Sequence, residues 1–275
     1  MRRSLIGRTW PNVIAVVLFV FFIFPVYWMV ATSFKKDGDI ISKTPVFIPL
    51  NGTLDHYVTA VHAKDFWTFV GNSFTVTIGA VLASLVIATL ASFAIARMKF
   101  RGRKTFVLVV MAAQMAPWEV MTIAVYMISR DNEMLNSLVP LTLFYMMMVL
   151  PFTIWTLRSF IAAVPKELEE SAMVDGCTRT QAFVKVIFPL LAPGLMSTSL
   201  FGFITAWNEF PLVLILNKES GQTLPLWLSS FKTAFGNDWG ATMAASTMFA
   251  IPVLILFVFL QRKAVGGLTD GAVKG

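Results

Sequence analysis

Between Phe66 and Ala96 not one side chain is charged, and the same holds from Thr9 to Phe34, from Met134 to Leu157 and from Trp239 to Gln261. Two further stretches, Thr105 to Ser129 and Val186 to Asn217, carry one charge each, Glu119 and Glu209. A helix needs about 20 apolar residues to cross the roughly 30 Å of hydrocarbon in a bilayer, and all six stretches reach that length. A transmembrane barrel would show alternating segments of about ten residues instead. In lipid the backbone must satisfy its own hydrogen bonds, so long continuous runs point to helices.

Hydrophobic residues are 57% of the 275 and charged ones only 13%, about half the usual charged share. So little polar surface cannot coat a water-soluble particle of this size. With a single Cys, the composition excludes a secreted enzyme, a disulfide scaffold, a disordered chain and most cytosolic folds. The expectation is an all-α polytopic membrane bundle of six transmembrane helices forming one domain over 1–275. Its spans are expected at about 12–34, 67–96, 105–128, 136–158, 190–216 and 239–261.

Arg2, Arg3 and Arg8 ahead of an apolar stretch could suggest a secretory signal. The run from Val13 to Ala31 is longer than a cleaved apolar region and no small-residue cleavage site follows, so the first span is expected to be retained, with a kink at Pro25. Placing the N-terminus in the cytoplasm puts 15 of the 22 Lys and Arg on the inner side, as the positive-inside rule requires. Acidic residues lean outward, so the net charge of +7 is a topological bias rather than a nucleic-acid surface. Both termini are then cytoplasmic, in a plasma or inner membrane.

Ala80, Ser84, Ala88, Ser92 and Ala96 recur every four residues along the second span. Small residues let helix backbones approach closely, and the stripe reads as an intramembrane packing seam. Outer loops at 35–65, 130–133 and 218–238 hold no core-sized domain. The long inner loop, about 158–189, is more organised: Pro165-Lys166-Glu167-Leu168-Glu169-Glu170 reads as a helix start, Gly176 as a break, and Arg179 to Val186 as a restart. Two short helices around a Gly turn, too polar to span, make a protruding knob that needs a socket on another protein.

Glu170-Ser171-Ala172, Gly176, Val186 and Pro189 stand at the spacing of Glu-Ala-Ala, three residues, Gly, nine residues, Ile, one residue, Leu-Pro. This resembles the EAA loop of ABC importer permeases, with Ser171, Val186 and Phe188 as modest departures. Asn72-Ser73, Arg97-Met98-Lys99-Phe100 with Arg101-Gly102, Met115-Ala116-Pro117 and Ala206-Trp207-Asn208-Glu209-Phe210 extend the resemblance to maltose-type carbohydrate permeases. The tail Gly267 to Gly275 is similar to that of the MalG-like subunit. The resemblance implies a bacterial or archaeal membrane permease forming half of a pore for a sugar or oligosaccharide. Its implied partners are a second, MalF-like permease, two ABC ATPase subunits and an extracytoplasmic solute-binding protein.

By that resemblance Glu170, Ser171, Ala172, Asp175, Gly176 and Pro189 couple to an ATPase subunit, and Gly271 and Lys274 of the tail (262–275) reach the same subunits. The EAA loop is bounded at about 164–189. The chain itself is expected to be non-catalytic and to bind no cofactor, with ATP and Mg on the partner ATPase subunits. Indeed no phosphate-binding Gly-rich loop occurs: Gly102-Arg103-Lys104-Thr105 has Arg97 where the first Gly belongs and an extra Arg before the Lys. His56 and His62 lack clustered Cys or acids and suggest no metal site, and Cys177 reads as a packing residue.

Glu119 and Glu209 need an explanation, because a carboxylate in lipid costs at least about 2.5 kcal/mol. Acids and amides bind sugar hydroxyls while aromatic faces cover C–H surfaces, so Glu119, Trp207, Asn208 and Glu209 are candidates for the substrate route. Helix–helix hydrogen bonding, or for Glu119 a place near the outer mouth, is the alternative. A secondary transporter relaying protons through Glu119 or Glu209 is a rival function, against which the coupling loop argues. An intramembrane enzyme lacks a His-Glu-x-x-His or Gly-x-Ser-x-Gly arrangement.

Overall fold

Helix dominates wherever the charge-free runs lie. In chain order the computed structural model contains α1 (Ile6–Ser33), α2 (Asp37–Ile40), α3 (Asp55–His62), α4 (Phe66–Arg97), α5 (Arg103–Met115), α6 (Trp118–Asp131) and α7 (Leu138–Ala163). There follow α8 (Lys166–Val174), α9 (Arg179–Ala182), a π-helical turn (Phe183–Ile187), α10 (Phe188–Leu190), α11 (Ala192–Trp207), α12 (Pro211–Leu216), α13 (Leu224–Ser229) and α14 (Trp239–Thr269). A minimal antiparallel hairpin, β1 (Lys232–Thr233) and β2 (Gly236–Asn237), precedes α14. The structure describes residues 6–63, 65–233 and 236–269, the side chains at 6–9, 232–233 and 262–269 excepted.

Among the described residues four helices are long and apolar enough to cross a membrane, at Trp10–Ser33, Phe66–Arg97, Leu138–Ala163 and Trp239–Gln261. Arg103–Met115 with Trp118–Asp131 meets the test as a pair bent by 93°, and Arg179–Leu190 with Ala192–Trp207 as a pair bent by 68°. The fold is therefore an all-α membrane bundle with four to six crossings. Neither stretch expected at 105–128 or at 190–216 is one continuous helix. Ala116 precedes a proline and is held extended at φ −67°, ψ 131°, because the Pro117 ring disfavours helical geometry in the residue before it. In the other stretch the helix stops at Trp207 and restarts with Pro211 in its first turn, where a missing N–H costs nothing.

The chain divides into two compact units. The first draws on Met1–Trp67 and Trp227–Ile251. Its α1 is apolar on every face and exposed from Trp10 to Tyr27, the pattern of a helix whose cover is lipid or another protein. Polar anchoring begins at its end: Ser33 Oγ lies 2.7 Å from the Tyr57 hydroxyl, and a His56 ring nitrogen 2.8 Å from the Lys35 carbonyl. The Lys35 ammonium sits 3.6 Å from the centre of the Trp28 ring and donates to Thr32 Oγ1. Burial pushes that ammonium below its ordinary pKa, against the upward pull of the Asp39 carboxylate.

The second unit, Thr68–Leu226 with Pro252–Gly275, is built on α4, α7 and α11. Lipid is as apolar as leucine, so burial in a bilayer supplies little drive and close approach must do the work. The small-residue stripe of α4 does so: Ala80, Ser84, Ala88 and Ser92 are fully buried, and Ser92 Oγ donates 2.9 Å to the Ile154 carbonyl on α7. Gly202 on α11 serves the same end, since a Cβ there would stand 2.7 Å from Val149 Cγ1 and 3.4 Å from Val81 Cγ2. Ring pairs complete the seams, with Phe152 on Phe201 and Phe74 on Trp207.

Candidate functional site

The knob is assembled from local signals. Pro165 precedes α8, and Glu167 and Glu169 sit in its first turn, where the helix dipole favours acids. Gly176, at φ +88°, ends the helix. The Cys177 N–H reaches the Ala172 carbonyl at 3.0 Å and the Gly176 N–H the Met173 carbonyl at 3.1 Å, a complete Schellman ending. Thr178 then caps α9 reciprocally: its Oγ1 accepts from the Gln181 N–H, and the Gln181 side chain accepts from the Thr178 N–H. That Thr-x-x-Gln box was legible in the sequence and escaped the reading above.

The motif residues divide by face. Ala172 is buried, while Glu170, Ser171, Asp175, Gly176 and Pro189 are exposed. Beside them the solvent side carries apolar groups that have no place on an ordinary surface loop: Val174 is 87% exposed, with Leu168 and Met173 also outward. The buried acid is Glu169, one position before the motif. Its two oxygens lie 3.4 Å from Arg97 Nε and 3.4 Å from Arg179 Nε, and Arg97 also donates 2.6 Å to the Val164 carbonyl. Under this charged layer lies an apolar one of Ile161, Ile187 and Leu191, with Phe93 against Phe183. Gly271 and Lys274 lie outside the described residues.

The four candidates for a substrate route separate as well. Trp207 is buried, stacked on Phe203 at 5.2 Å and packed on Phe74. Glu209 is buried too: the Tyr145 hydroxyl donates to its Oε2 at 2.5 Å and the Leu212 N–H to its Oε1 at 2.8 Å. It thereby serves a donor in the first turn of α12 that the helix cannot satisfy itself. Asn208 is exposed, its Nδ2 donating 2.7 Å back to the Ile204 carbonyl. Glu119 is exposed in the first turn of α6, just past the bend. Its neighbour Trp118 faces a cavity of about 340 Å³ between α5, α6, α7 and α11, whose polar members are Gln114 and Thr205. The structure thus leaves Asn208 and Glu119 accessible and buries Trp207 and Glu209.

Residues 80–265, which hold the α4 stripe, the knob and the α11–α12 break, match the family of binding-protein-dependent transport system inner membrane components. The chain belongs to that family. It is 71% identical, over the full length of both chains, to the diacetylchitobiose uptake system permease protein DasC of Streptomyces coelicolor. It is 30% identical, again over all of both chains, to the trehalose/maltose transport system permease protein MalG of Thermococcus litoralis. Among solved structures, a chain of a bacterial ABC transporter involved in import of the polysaccharide alginate superposes with a TM-score of 0.80 at 22% identity, covering 95% of this chain and 99% of that one. A chain of the MetNI methionine ABC transporter superposes with a TM-score of 0.56 at 15% identity, covering 77% of this chain and 98% of that one.

As an inner membrane component the chain is a permease of an ABC importer and not a catalyst. Two groups of residues in this permease were invisible as partners in the sequence. Asn72 and Ser73, quoted above only for their likeness to the family, fasten the start of α13 and the residues leading into it: Asn72 Nδ2 donates to the Gln222 carbonyl, and the Leu224 N–H donates to Ser73 Oγ at 2.7 Å. Arg97, one of several basic residues after the second span, is instead the buried hub of the knob.

Proposed function

We propose that this permease forms half of the translocation pathway of an ATP-driven importer, taking a short oligosaccharide from an extracytoplasmic solute-binding protein. It would cross the membrane six times at the spans expected above, with α5–α6 and α11–α12 each serving as one interrupted crossing and both termini cytoplasmic. The α8–Gly176–α9 knob docks on an ATPase subunit. A second permease completes the pore, and two ATPase subunits supply hydrolysis in trans.

The observation that carries the coupling role is the division of the knob into two faces. Its inner face is fastened by buried charge, whereas its outer face presents Glu170 and Asp175 beside Val174, Met173 and Leu168. Apolar side chains rimmed by acids suit a protein socket with basic edges. Ser171 and Gly176 keep the centre of that face low, and Pro189 holds the exit from the knob. The C-terminal residues Gly271 and Lys274 are assigned to the same ATPase pair. For the sugar, the 71% identical permease is named for diacetylchitobiose, which makes that disaccharide the first substrate to test. Asn208 and Glu119 are the residues assigned to the route, with Trp207 and Glu209 shaping it from behind.

Uptake of radiolabelled diacetylchitobiose in cells with and without the gene, against maltose and trehalose as competitors, tests the substrate. Co-purification tests the socket: Glu170→Lys replaces attraction by repulsion and is expected to strip the ATPase subunits from the detergent-purified complex. Full recovery of both subunits with this variant would refute the docking assignment.

A further inference from the structure

Three elements meet at one carboxylate. Glu169 on α8 places one oxygen toward Arg97 at the end of α4 and the other toward Arg179 on α9, and the Arg97 and Glu169 side chains are only 4% and 7% exposed. Arg97 holds a second point, the Val164 carbonyl at the end of α7. A single guanidinium therefore hydrogen-bonds the end of α7 and pairs by charge with α8, its Nε having the Glu169 carboxylate at 3.4 Å and no hydrogen-bond partner. We propose that Glu169 is the positioning residue that makes the knob and the end of α4 move as one body. A push on the knob is then delivered to a long helix of the bundle rather than absorbed by the loop. This rests on the docking role proposed for α8 and α9.

The physical argument turns on what each kind of contact resists. The apolar layer beneath, Ile161, Ile187 and Leu191, is non-directional, and such a seam can shear by small slides at little cost. A buried ion pair tolerates no such slide, because separating its members leaves charge without solvent or partner. Buried pairs are poor devices for stability, since well-packed apolar residues often do as well, and their use lies in fixing one geometry. Here the geometry fixed is that of the knob against α4. Arg179 is half exposed, so the pair it makes closes the solvent side, while the Arg97 pair carries the load into the bundle. Glu170, the next residue, is exposed and free to serve the partner, so two adjacent acids divide the work between inside and outside.

The test uses the assembled transporter in proteoliposomes, with labelled diacetylchitobiose uptake and ATP hydrolysis measured together. Glu169→Gln is expected to keep the subunit ratio, because the docking face is untouched, and to keep hydrolysis within about twofold. Uptake per ATP hydrolysed should fall about tenfold, within the range usual for coupling between sites. Glu169→Asp, which keeps the charge one methylene shorter, should recover part of that ratio. A merely structural role would lower uptake and hydrolysis together and leave their ratio unchanged, and that result overturns the proposal. If Glu169→Gln does not assemble, Arg97→Lys decides by the same ratio, since an ammonium keeps the charge but lacks the planar fork that faces Val164 and Glu169 from two nitrogens. Glu170→Lys runs alongside: an intact, active complex with that variant would sink the docking role, whereas an unchanged ratio in Glu169→Gln with a disrupted Glu170→Lys sinks only the clamp.

Discussion

Glu169 and Glu209 are equally buried, each 5% exposed, yet they face opposite kinds of partner. At the knob, Glu169 is met by two guanidinium groups from different elements. In the bundle, Glu209 is met by neutral donors, a phenol from α7 and a backbone amide of α12. The difference reflects what each region can supply. Close to water, long cations can be brought in with their stems along apolar surface. Deep in the bundle a cation would add its own desolvation cost, so hydroxyl and amide dipoles serve instead. The ionic arrangement joins three elements, α4, α8 and α9; the neutral one seals a helix break in place.

The comparison predicts that the two regions fail differently. Gly176→Leu strikes the knob alone. Its Cβ would meet no atom within 4 Å, so the damage is not a clash but the left-handed φ of +88° and a side chain thrust at the socket. Sugar-stimulated ATP hydrolysis in proteoliposomes should fall at least about tenfold, since the left-handed conformation itself costs about 1–2 kcal/mol and the docking face is altered. The thermal midpoint of the isolated permease should fall by no more than a few degrees, since the strain of about 1–2 kcal/mol is confined to one turn. A large drop in that midpoint would show that Gly176 supports the packing of the bundle as well as the shape of the docking face.

Glu209→Leu strikes the bundle alone. It leaves the Tyr145 hydroxyl and the Leu212 N–H without their acceptor, at about 1–3 kcal/mol for each unsatisfied group. The thermal midpoint in detergent should fall markedly. Glu209→Gln, which can still accept from one donor and pair with the phenol, should recover most of it. Equal loss in both variants would mean that the negative charge, not the acceptor, is what the bundle needs.

A third variant tests whether close approach, rather than polar bonding, sets the tightness of the same region. Gly202→Val puts a branched side chain where even a Cβ stands 2.7 Å from Val149 Cγ1, and overpacking of this kind costs about 1–3 kcal/mol. Val149→Ala in the same chain should restore part of the thermal midpoint. No recovery would place the strain elsewhere in the α7–α11 seam.

What could be read in advance follows the range of the interactions. Charge-free length and the small-residue stripe are local, and they carried the all-α membrane fold. Gly176 and the Thr178-Gln181 box are local also, and the second was there to be read. Pro117 is a local break signal too, but a window of apolar residues on both sides masked it. By contrast Arg97 and Glu169, or Tyr145 and Glu209, are brought together only by the packing of α8 on α4 and of α7 on α11. No spacing rule links them, so a buried acid could be flagged while its partner could not. The same blindness covers Trp207, whose neighbours Phe203 and Phe74 arrive from two helices and make it part of the seam.

The smallest structural effect is expected at Asn208, which makes it the sharpest probe of the route. Its side chain is exposed and its amide only returns to the Ile204 carbonyl of its own helix, a bond that water can replace. Asn208→Ala should therefore change stability by no more than about 0.5 kcal/mol, as is usual for surface positions away from special features. Against so quiet a background, any change in uptake belongs to the passage of sugar. If Asn208 lines the route, KM for diacetylchitobiose uptake or its maximal rate should shift several-fold while basal ATP hydrolysis stays level. Unchanged uptake at unchanged stability would remove Asn208 from the route and leave the cavity beside Trp118, with Gln114 and Thr205, as the next place to look.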